Sequence, residues 1–322
     1  MRKTKIFAGS SHPELASLIA DRLGIPLAPA SFRKFPNQEM TVEIGTSVRD
    51  EDVFIIQSGS AAVNDNLMEL LLMVNACKMA SAGRITAVLP YFPYSKQSKK
   101  KKVRSAIAAK LVAQMIGVAG VDHVITMDLH GSQMQGFFSK PVDNLLAEPT
   151  IARYIMERIP EYSSGVVVSK NVGGAKRVTS LADRLRMDFA LVHRERLGGS
   201  DPDEEDSKLT LVGDVSGRVC FIVDDVIDDV HGVCEAAIHL VSCRATRVHL
   251  VGTHGILSDN ALHLVEACDA ISEIIVTNTY PISEEKRKMT RKLRVIDVSG
   301  VLAEAIRRTH NGESISYLFY TA

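Results

Sequence analysis

Residues 53–89 read VFIIQSGSAAVNDNLMELLLMVNACKMASAGRITAVL, and this stretch decides the fold class. It begins and ends with short runs of β-branched and other apolar residues, 53–56 and 85–89, which predict two buried strands. Between them, apolar residues of the segment 64–80 recur at helical spacing and predict a helix. A strand, a helix and a second strand form the unit from which parallel sheets with right-handed crossovers are built.

The same alternation continues along the chain, and its rhythm restarts near residue 165. Further strands are predicted at 123–127, 166–168, 189–193, 220–223, 248–251, 274–276 and 296–298, and further helices at 107–116, 175–184 and 301–310. Asn64 or Asp65 would cap the helix at 64–80. The pattern predicts an α/β protein with two domains, 1–146 and 147–322, each a mostly parallel sheet flanked by helices. The similar rhythm of the two halves suggests a structural duplication.

The composition excludes several classes of protein. The 322 residues carry 38 Lys and Arg against 38 Asp and Glu, so no global field draws the protein to nucleic acid or to a membrane. No apolar run reaches the roughly 20 residues of a membrane helix, and no secretory apolar stretch follows Met1. The cysteines form no C-x-x-C pair, which favours reduced core thiols in a cytoplasmic protein over a zinc site. They are Cys77, Cys220, Cys234, Cys243 and Cys268.

The segment 197–208, LGGSDPDEEDSK, is predicted to be a mobile loop. It contains glycines, a proline and five acids among the six residues 201–206. Glycine and proline interrupt both helices and strands, and the run of acids is typical of solvated chain.

Polar residues follow the predicted strand 123–127. In open parallel sheets, ligands bind beyond the carboxyl ends of the strands. Asp128 and His130 lie two residues apart at such an end, so both can face one crevice. A carboxylate and an imidazole there can hold a hydrated Mg²⁺ that bridges nucleotide phosphates. A buried polar pair that closes the strand explains the same residues equally well.

A second acidic group surrounds the predicted strand end at Val223 and comprises Asp224, Asp225, Asp228 and Asp229. Carboxylates beside an apolar strand are costly unless something pairs with them. Adjacent carboxylates suit the vicinal hydroxyls of a ribose or a cation, and the alternative is a solvated acidic loop. We favour a ligand site, because the apolar strand aims the acids at the crevice.

Two further stretches are less specific. A glycine pair in 169–177, SKNVGGAKR, leads into a predicted helix and can wrap backbone N–H groups around an anion. Six of the nine residues 96–104 are cationic, which is typical of a nucleic-acid patch, a polyphosphate-binding flap or a solvated loop. Zero net charge and the lack of another basic patch in the sequence argue against nucleic acid.

The sequence closely resembles the ribose-phosphate pyrophosphokinase family from Lys5 to Phe319. The stretches that carry the resemblance are NDNLMELL (64–71), ITMDLHGSQMQGFF (125–138), PVDN (141–144), GGAKRVTSLADRL (173–185) and EAIRRTHNGESISYLF (304–319). The resemblance implies two phosphoribosyltransferase-like domains. It also implies transfer of diphosphate from Mg-ATP to the C1 hydroxyl of ribose 5-phosphate, with release of AMP, for nucleotide biosynthesis. Such transfer depends on positioning and charge neutralisation.

The nucleotide side of the family pattern is largely retained. The matching residues are Phe35, Asn37, Glu39, Gln97, Asp128 and His130. The first three match an adenine-binding segment that reaches in from a neighbouring subunit, and the last two match the nucleotide, magnesium and catalytic positions. Lys96 and Ser98 replace the usual arginine and aspartate of the ATP flap, and a lysine keeps the charge but loses the bidentate fork.

The sugar-phosphate side departs further from the family. Asp224, Asp225 and Asp228 match, but the usual Asp-Thr-x-Gly-Thr reads DDVHG at 228–232, so both threonines are lost and Gly232 takes the last place. Asp229 would put a carboxylate beside a phosphate dianion, which costs about 4 kcal/mol at ~4 Å and an effective dielectric of ~20. The resemblance therefore implies weak ribose 5-phosphate binding, which a protonated His231 would partly offset.

The catalytic loop and one further acid position also differ. Arg194 stands in place of the usual lysine, whereas Arg196 matches a basic residue of the loop. The acidic stretch 201–206 that follows is a poor neighbour for ATP. Asn171 replaces a carboxylate expected near the second magnesium and the ribose hydroxyls, which weakens cation binding.

Another set of positions is intact. Those that match allosteric phosphate or ADP sites between subunits are Ser47, Arg49, Ser81, Arg104, Ser314 and Ser316. Their retention beside an altered catalytic loop resembles the associated-protein branch of the family.

Two interpretations of the function remain at this point. In the first, the chain is a competent synthase. In the second, which we favour for the isolated chain, it is a weakly active or non-catalytic subunit that binds nucleotide and tunes homologous catalytic partners in a hexamer-like hetero-oligomer. Under both, the expected ligands are Mg²⁺, ATP or ADP, ribose 5-phosphate and inorganic phosphate, with no nucleic acid or membrane as a partner.

Overall fold

The computed structural model of the protein describes residues 4–100, 102–196 and 207–319. The strands are β1 (Thr4–Ala8), β2 (Ala30–Lys34), β3 (Met40–Ile44), β4 (Asp52–Ile56), β5 (Arg84–Leu89), β6 (His123–Met127), β7 (Val142–Leu145), β8 (Val166–Ser169), β9 (Asp188–Arg196), β10 (Ser207–Val212), β11 (Val219–Ile227), β12 (Arg247–Gly255), β13 (Glu273–Thr277) and β14 (Leu293–Ile296). The helices are α1 (Pro13–Leu23), α2 (Val63–Met79), α3 (Ala108–Ala119), α4 (Glu148–Arg158), α5 (Ala175–Leu185), α6 (His231–Ser242), α7 (Ala261–Ala267), α8 (Glu284–Lys288) and α9 (Ser299–Asn311).

The first sheet has the order β1-β4-β5-β6-β7, and every neighbouring pair is parallel. β4 is buried along its whole length, as expected for a parallel strand that is covered on both faces. Helix α2 buries Leu70, Val74 and Cys77 in the same core, which confirms the helical spacing of the apolar residues. β2 and β3 pair separately as an antiparallel hairpin.

The second sheet has the order β10-β9-β8-β11-β12-β13-β14. β10 is antiparallel to β9 at one edge, and the other pairs are parallel. β11 lies between β8 and β12, and its first five residues, Val219–Val223, are buried. The prediction of an α/β fold with mostly parallel sheets and intervening helices is confirmed.

The chain divides into two compact units. Within the described residues, the first unit runs to Ala147 and also contains Asn278–Pro281 and the chain from Asp297 onward. The second unit contains Glu148–Thr277 and Ile282–Ile296. The division of the sequence between residues 146 and 147 stays a prediction.

The segment Asn278–Pro281 is bound to the first unit by specific contacts. The Asn278 carbonyl oxygen lies 2.8 Å from Nε2 of His12, and Ser58 Oγ donates to the carbonyl of Thr279 at 2.6 Å. The rings of Tyr91 and Tyr280 pack edge to face with their centroids 5.7 Å apart.

The predicted cap of α2 is wrong. The N-cap is Ala62, which makes no side-chain capping hydrogen bond. Asn64 instead accepts a hydrogen bond from the hydroxyl of Tyr94, and Asp65 pairs with Lys34 of β2 at 2.6 Å. Both polar side chains are used by tertiary partners that local sequence does not reveal.

The predicted strand at 296–298 is also misplaced, since β14 ends at Ile296. The carboxylate of Asp297 accepts hydrogen bonds from the backbone N–H and the hydroxyl of Ser299, both at 2.9 Å. The N–H of Val298 donates to Asn278 Oδ1 at 2.9 Å. These bonds turn the chain directly into α9.

Two other predictions concern the chain's surroundings and mobility. Among the residues that the structure describes, none of the helices combines the length and apolar character needed to cross a membrane. Most of the predicted mobile loop, residues 197–206, lies outside the described residues, and Ser207 and Lys208 begin β10.

A buried ion pair connects α9 to the first sheet. Asp52, at the start of β4, is 3% exposed and receives both Nε and Nη2 of Arg84. Nδ1 of His310 lies 2.7 Å from Asp52 Oδ2, and Arg84 also donates to the carbonyl of Thr309 at 2.9 Å. The carboxylate therefore holds the last turn of α9 against β4 and β5.

We expect Asp52→Asn to destabilise the protein by about 3 kcal/mol, because it leaves a partly buried arginine without its counter-charge. Urea unfolding followed by circular dichroism measures this loss. The matched control is Asp65→Asn, which breaks the exposed pair with Lys34 and should cost less than about 1 kcal/mol. Equal losses in the two variants would show that the Asp52 pair does not anchor α9.

Candidate functional site

Asp224 and Asp225 lie inside β11 and not beyond it, which corrects the predicted strand end at Val223. β11 continues to Ile227 because Val226 and Ile227 are buried and pair with β12. Asp224 and Asp225 therefore interrupt an apolar strand, and Asp225 is only 2% exposed. Charged groups in such a place require compensation.

Two cations of the same unit supply this compensation. Lys170 Nζ lies 2.7 Å from Asp224 Oδ2, and Arg177 Nη1 lies 3.0 Å from Asp225 Oδ1 and 3.6 Å from Asp224 Oδ1. The backbone N–H of Asp225 also donates to Asp224 Oδ1 at 2.9 Å. Burial raises the pKa of Asp224, and the charge of Lys170 opposes this shift.

Lys170 directly follows β8, and Arg177 lies in the first turn of α5. Ser169 Oγ donates to the Asn171 carbonyl at 2.6 Å, and Asn171 Oδ1 accepts the N–H of Gly174 at 3.0 Å. The carboxamide that replaces the expected carboxylate is thus bonded to its own backbone. The sequence prediction named this stretch as an anion site but gave Lys170 and Arg177 no role. Their partners become visible only when β8 is placed beside β11.

The segment 228–232 leads directly into α6, so Gly232 lies in the first turn of the helix. Asp229 is exposed, and its Oδ1 accepts the backbone N–H of His231 at 3.0 Å. The first N–H groups of a helix have no partner within the helix and are suited to bind anions. Asp229 therefore occupies one of the donors that a phosphate would otherwise use.

Arg194 of β9 lies beside the same helix start. A Cβ added to Gly232 would be 3.9 Å from Nη2 of Arg194, and the guanidinium forms an ion pair with Glu235. The structure thus brings together two predicted site residues, Arg194 and Gly232. Arg196 ends β9, but its side chain lies outside the described residues, as does the acidic stretch 201–206.

In the first unit, Asp128 and His130 lie on the turn after β6. Asp128 has a φ of 41°, a left-handed conformation that aspartate adopts more readily than most residues. Its N–H donates to the Leu145 carbonyl at 2.9 Å, and its Oδ2 accepts the N–H of Ala147 at 3.2 Å. These bonds fix the carboxylate at the carboxyl end of the sheet, and His130 is exposed.

The turn suits a magnesium ion that arrives with a nucleotide better than a resident ion. The described residues contain no group of three or more His, Cys, Asp or Glu side chains arranged to hold a metal. Mg²⁺ usually keeps several waters and is bound through one or two carboxylates together with substrate phosphates. Asp128 and His130 fit that smaller requirement.

The predicted adenine-binding residues share the loop between β2 and β3. The Phe35 N–H donates to the Glu39 carbonyl at 2.8 Å, and Asn37 Oδ1 accepts the Glu39 N–H at 3.1 Å. Phe35 is 50% exposed. The loop therefore presents an aromatic face and two polar side chains on a short, internally bonded turn, which suits stacking on a flat base.

The predicted flap residues occupy a 3₁₀ turn, Ser95–Gln97, that follows a tight bend at Tyr94. Gln97 is exposed and Lys96 is half-buried, whereas Ser98 is buried. The residue at the usual aspartate position therefore faces the protein, and Lys96 and Gln97 are the residues suited to meet phosphate.

The predicted allosteric residues fall into separate groups. Arg49 and Ser81 lie together, since Arg49 forms a bridge with Ala82 and the Asp50 N–H donates to the Ser81 carbonyl at 2.9 Å. Ser47 is exposed two residues before Arg49, and Arg104 lies on a turn before α3.

The other two serines follow α9. Ser314 Oγ donates to Ser316 Oγ at 3.0 Å, and Arg308 donates to the Ser314 carbonyl at 2.9 Å. Arg308 also stacks over the ring of Tyr317 and is held by Glu304 at 2.6 Å. Glu304 thus orders the serine segment through Arg308.

Comparison with solved structures identifies the family. Phosphoribosylpyrophosphate synthetase from Mycobacterium smegmatis matches with a TM-score of 0.89 and 38% sequence identity, over 97% of this chain and 100% of that chain. This chain belongs to the ribose-phosphate pyrophosphokinase family. The predicted family and its fold of two phosphoribosyltransferase-like domains are confirmed. The family performs ribose-phosphate diphosphokinase chemistry with ATP and Mg²⁺.

Family models agree with this assignment. The model for the N-terminal domain of ribose phosphate pyrophosphokinase matches residues 4–120, and that for the phosphoribosyl synthetase-associated domain matches residues 201–320. More distant matches include a purine phosphoribosyltransferase from Pyrococcus horikoshii, with a TM-score of 0.30 and 13% identity over 56% of this chain and 89% of that chain.

The contacts of Glu304 generate a prediction for the pH dependence of stability. Hydrogen bonds from Arg307, together with Arg308, lower the pKa of Glu304 from 4.5 to about 2. A lowered carboxyl pKa stabilises the folded state above pH 4.5, and this contribution is lost as the pH falls toward 2. Glu304→Gln removes it, so the melting temperature of the variant should fall less than that of the wild type between about pH 5 and pH 2.

Thermal unfolding at a series of pH values, followed by circular dichroism, tests this expectation. Glu285→Gln changes an exposed carboxylate of α8 and serves as the matched control. If Glu304→Gln and the wild type lost stability in parallel over this range, Glu304 would not be the group that couples α9 to pH.

Proposed function

We propose that this chain is a subunit of ribose-phosphate diphosphokinase that binds nucleotide well and sugar phosphate weakly. The assembly would transfer diphosphate from Mg-ATP to ribose 5-phosphate, giving 5-phosphoribosyl 1-diphosphate and AMP for nucleotide biosynthesis in the cytoplasm. Its partners would be homologous catalytic subunits in a hexamer-like oligomer. The observation that carries the proposal is the bond from the His231 N–H to Asp229 at the start of α6.

The nucleotide side supports binding of ATP or ADP. Phe35 offers a half-exposed ring for the base, and Asn37 and Glu39 lie beside it on the hairpin loop. Lys96 and Gln97 would contact the phosphates. In the family this loop serves a neighbouring subunit, so the chain can complete a partner's adenine site even where its own sugar site is poor.

The sugar side supports weak binding. The helix start that would hold the 5-phosphate already has one N–H bonded to the carboxylate of Asp229. A phosphate dianion placed there would meet this like charge at short range. Arg194, close to Gly232, can offset the repulsion only in part, because Glu235 shares its charge.

The chemistry requires little more than positioning and charge neutralisation. When bound with nucleotide, Mg²⁺ would supply positive charge to the transferred phosphates. Asp128 would hold that hydrated ion, with His130 beside it on the same turn. Arg194 would place a guanidinium near the sugar phosphate, and Lys96 would neutralise the nucleotide phosphates without the fork geometry of arginine.

A purely regulatory role is the second candidate. The segment with Ser314 and Ser316 is ordered by Arg308, and Arg49 lies beside Ser81. We propose that these residues, with Ser47 and Arg104, bind phosphate or ADP between subunits. A chain that kept these sites and the adenine loop would tune catalytic partners without turning over.

Steady-state assays of the purified chain, alone and mixed with a catalytic family member, distinguish the alternatives. We expect little AMP release by the chain alone, because Asp229 opposes the sugar phosphate. We expect the mixture to differ from the catalytic member alone in rate or in inhibition by ADP. Robust turnover by the isolated chain would overturn the proposal, and an unchanged mixture would remove the regulatory candidate.

Restoring the family residues in the loop should raise ribose 5-phosphate affinity. The combined change Asp229→Thr, Val230→Cys, His231→Gly and Gly232→Thr frees the backbone N–H of residue 231 from the Asp229 carboxylate and removes that charge. We expect binding measured by calorimetry to tighten about tenfold or more, equivalent to about 1.4 kcal/mol. Asp269→Thr, which removes an exposed carboxylate elsewhere in the second unit, is the control and should change nothing. No gain in the loop variant would refute this account of weak binding.

A further inference from the structure

Lys170 meets Asp224 because of the way two strands pair. β8 and β11 are adjacent and parallel, with Val168 opposite Ile222. Their carboxyl ends therefore lie at the same edge of the sheet. Lys170 directly follows β8 at that edge, and Asp224 of β11 is the second residue after Ile222. The Nζ–Oδ2 distance is 2.7 Å, and both side chains are mostly shielded from solvent, at 28% and 18% exposure.

Donors from the protein reach both oxygens of Asp224. Oδ2 faces the ammonium of Lys170, and Oδ1 accepts the N–H of Asp225 and lies 3.6 Å from Arg177. Arg177 also pairs with Asp225. Two carboxylates and two cations make this group formally neutral, so it has little remaining attraction for a further cation.

The family pattern places a second magnesium near this position, and the residues present do not fit it. A divalent cation prefers anionic oxygens. Asn171 is neutral, and its oxygen is used by Gly174. The oxygens of Asp224 are occupied by internal donors.

We propose that Lys170 is a fixed internal cation in the sugar-phosphate site: its ammonium takes the position on Asp224 that a divalent cation would otherwise take. The second unit then needs no divalent cation of its own to neutralise the acid pair when a sugar phosphate binds. This inference rests on the proposed function where it assigns Asp224 and Asp225 to the sugar site. The charge balance of the two acids with Lys170 and Arg177 does not depend on that function.

Removing the lysine should create a divalent cation site. In Lys170→Gln, the acid pair loses one of the two cations described above, and Asp224 Oδ2 loses its ammonium partner. Mn²⁺ alone is the probe, and the bound ions are counted from the loss of the free-ion electron paramagnetic resonance signal of the ligand-free chain. We expect Lys170→Gln to bind one more Mn²⁺ than the wild type, and the double variant Lys170→Gln with Asp224→Asn to lose that ion again.

Lys176→Gln is the matched control, since it removes an exposed lysine from the same segment, and it should bind as many ions as the wild type. Melting curves verify that each variant is folded. A further comparison uses only the wild type and Asp224→Asn. If the Lys170 ammonium already fills the cation position on Asp224, these two proteins should bind equal numbers of Mn²⁺.

Two results would overturn the inference: no additional ion in folded Lys170→Gln, or loss of an ion when Asp224→Asn is made in the wild type. Neither result depends on turnover or on binding of ribose 5-phosphate. The proposed function is tested by assays and by the loop variant, so it can fail while the internal cation stands, and the reverse also holds.

Discussion

The pairing of β11 with parallel strands on both sides is the constraint from which the proposed sugar-phosphate site of this protein follows. β8 and β12 cover both edges of β11, and the strand is buried from Val219 to Val223. A charged residue that continues such a strand is shielded from water while its backbone remains in the sheet. A buried charge is stable only when it is paired. Asp224 and Asp225 therefore require cations, and the neighbouring strand end and α5 supply Lys170 and Arg177.

The first unit meets the same physical demand with a different result. Asp52 begins the buried strand β4, and its partners are Arg84 on the adjacent strand and His310 at the end of α9. Here the compensated charge fastens the last helix to the sheet. A compensated carboxylate in a parallel strand can thus fasten a helix, as Asp52 does, or lie in the proposed ligand site, as Asp224 does.

Sequence patterns predicted the parts of the fold that depend on local periodicity. β6 was predicted to the residue, and α2 and α5 were close, because their buried faces repeat at helical spacing. The patterns failed where distant partners decide. Asp224 and Asp225 seemed to end a strand, yet Lys170 and Arg177, about fifty residues earlier, allow it to continue. The order of strands is needed to see that pairing, and no local pattern contains it. Strand-end chemistry and the family resemblance supplied the candidate site residues, but not the contacts that each of them makes.

Internal compensation has a consequence for ligand binding. A site that holds a dianion and a divalent cation must keep donors and carboxylates available in the absence of ligand, and such unpaired groups reduce stability. In this chain Asp229 accepts the N–H of His231 and Lys170 pairs with a carboxylate oxygen of Asp224, so these two groups are satisfied without a ligand. A sugar phosphate at the proposed site would displace interactions that the protein already makes. The free energy gained from its own contacts would be reduced by the free energy of those lost interactions. In the proposed adenine loop, a bound base need not displace such interactions. Phe35 is half exposed, and its loop is closed by backbone hydrogen bonds that a base need not break. Which polar groups are satisfied before any ligand arrives therefore underlies both halves of the proposed function, strong nucleotide binding and weak sugar-phosphate binding.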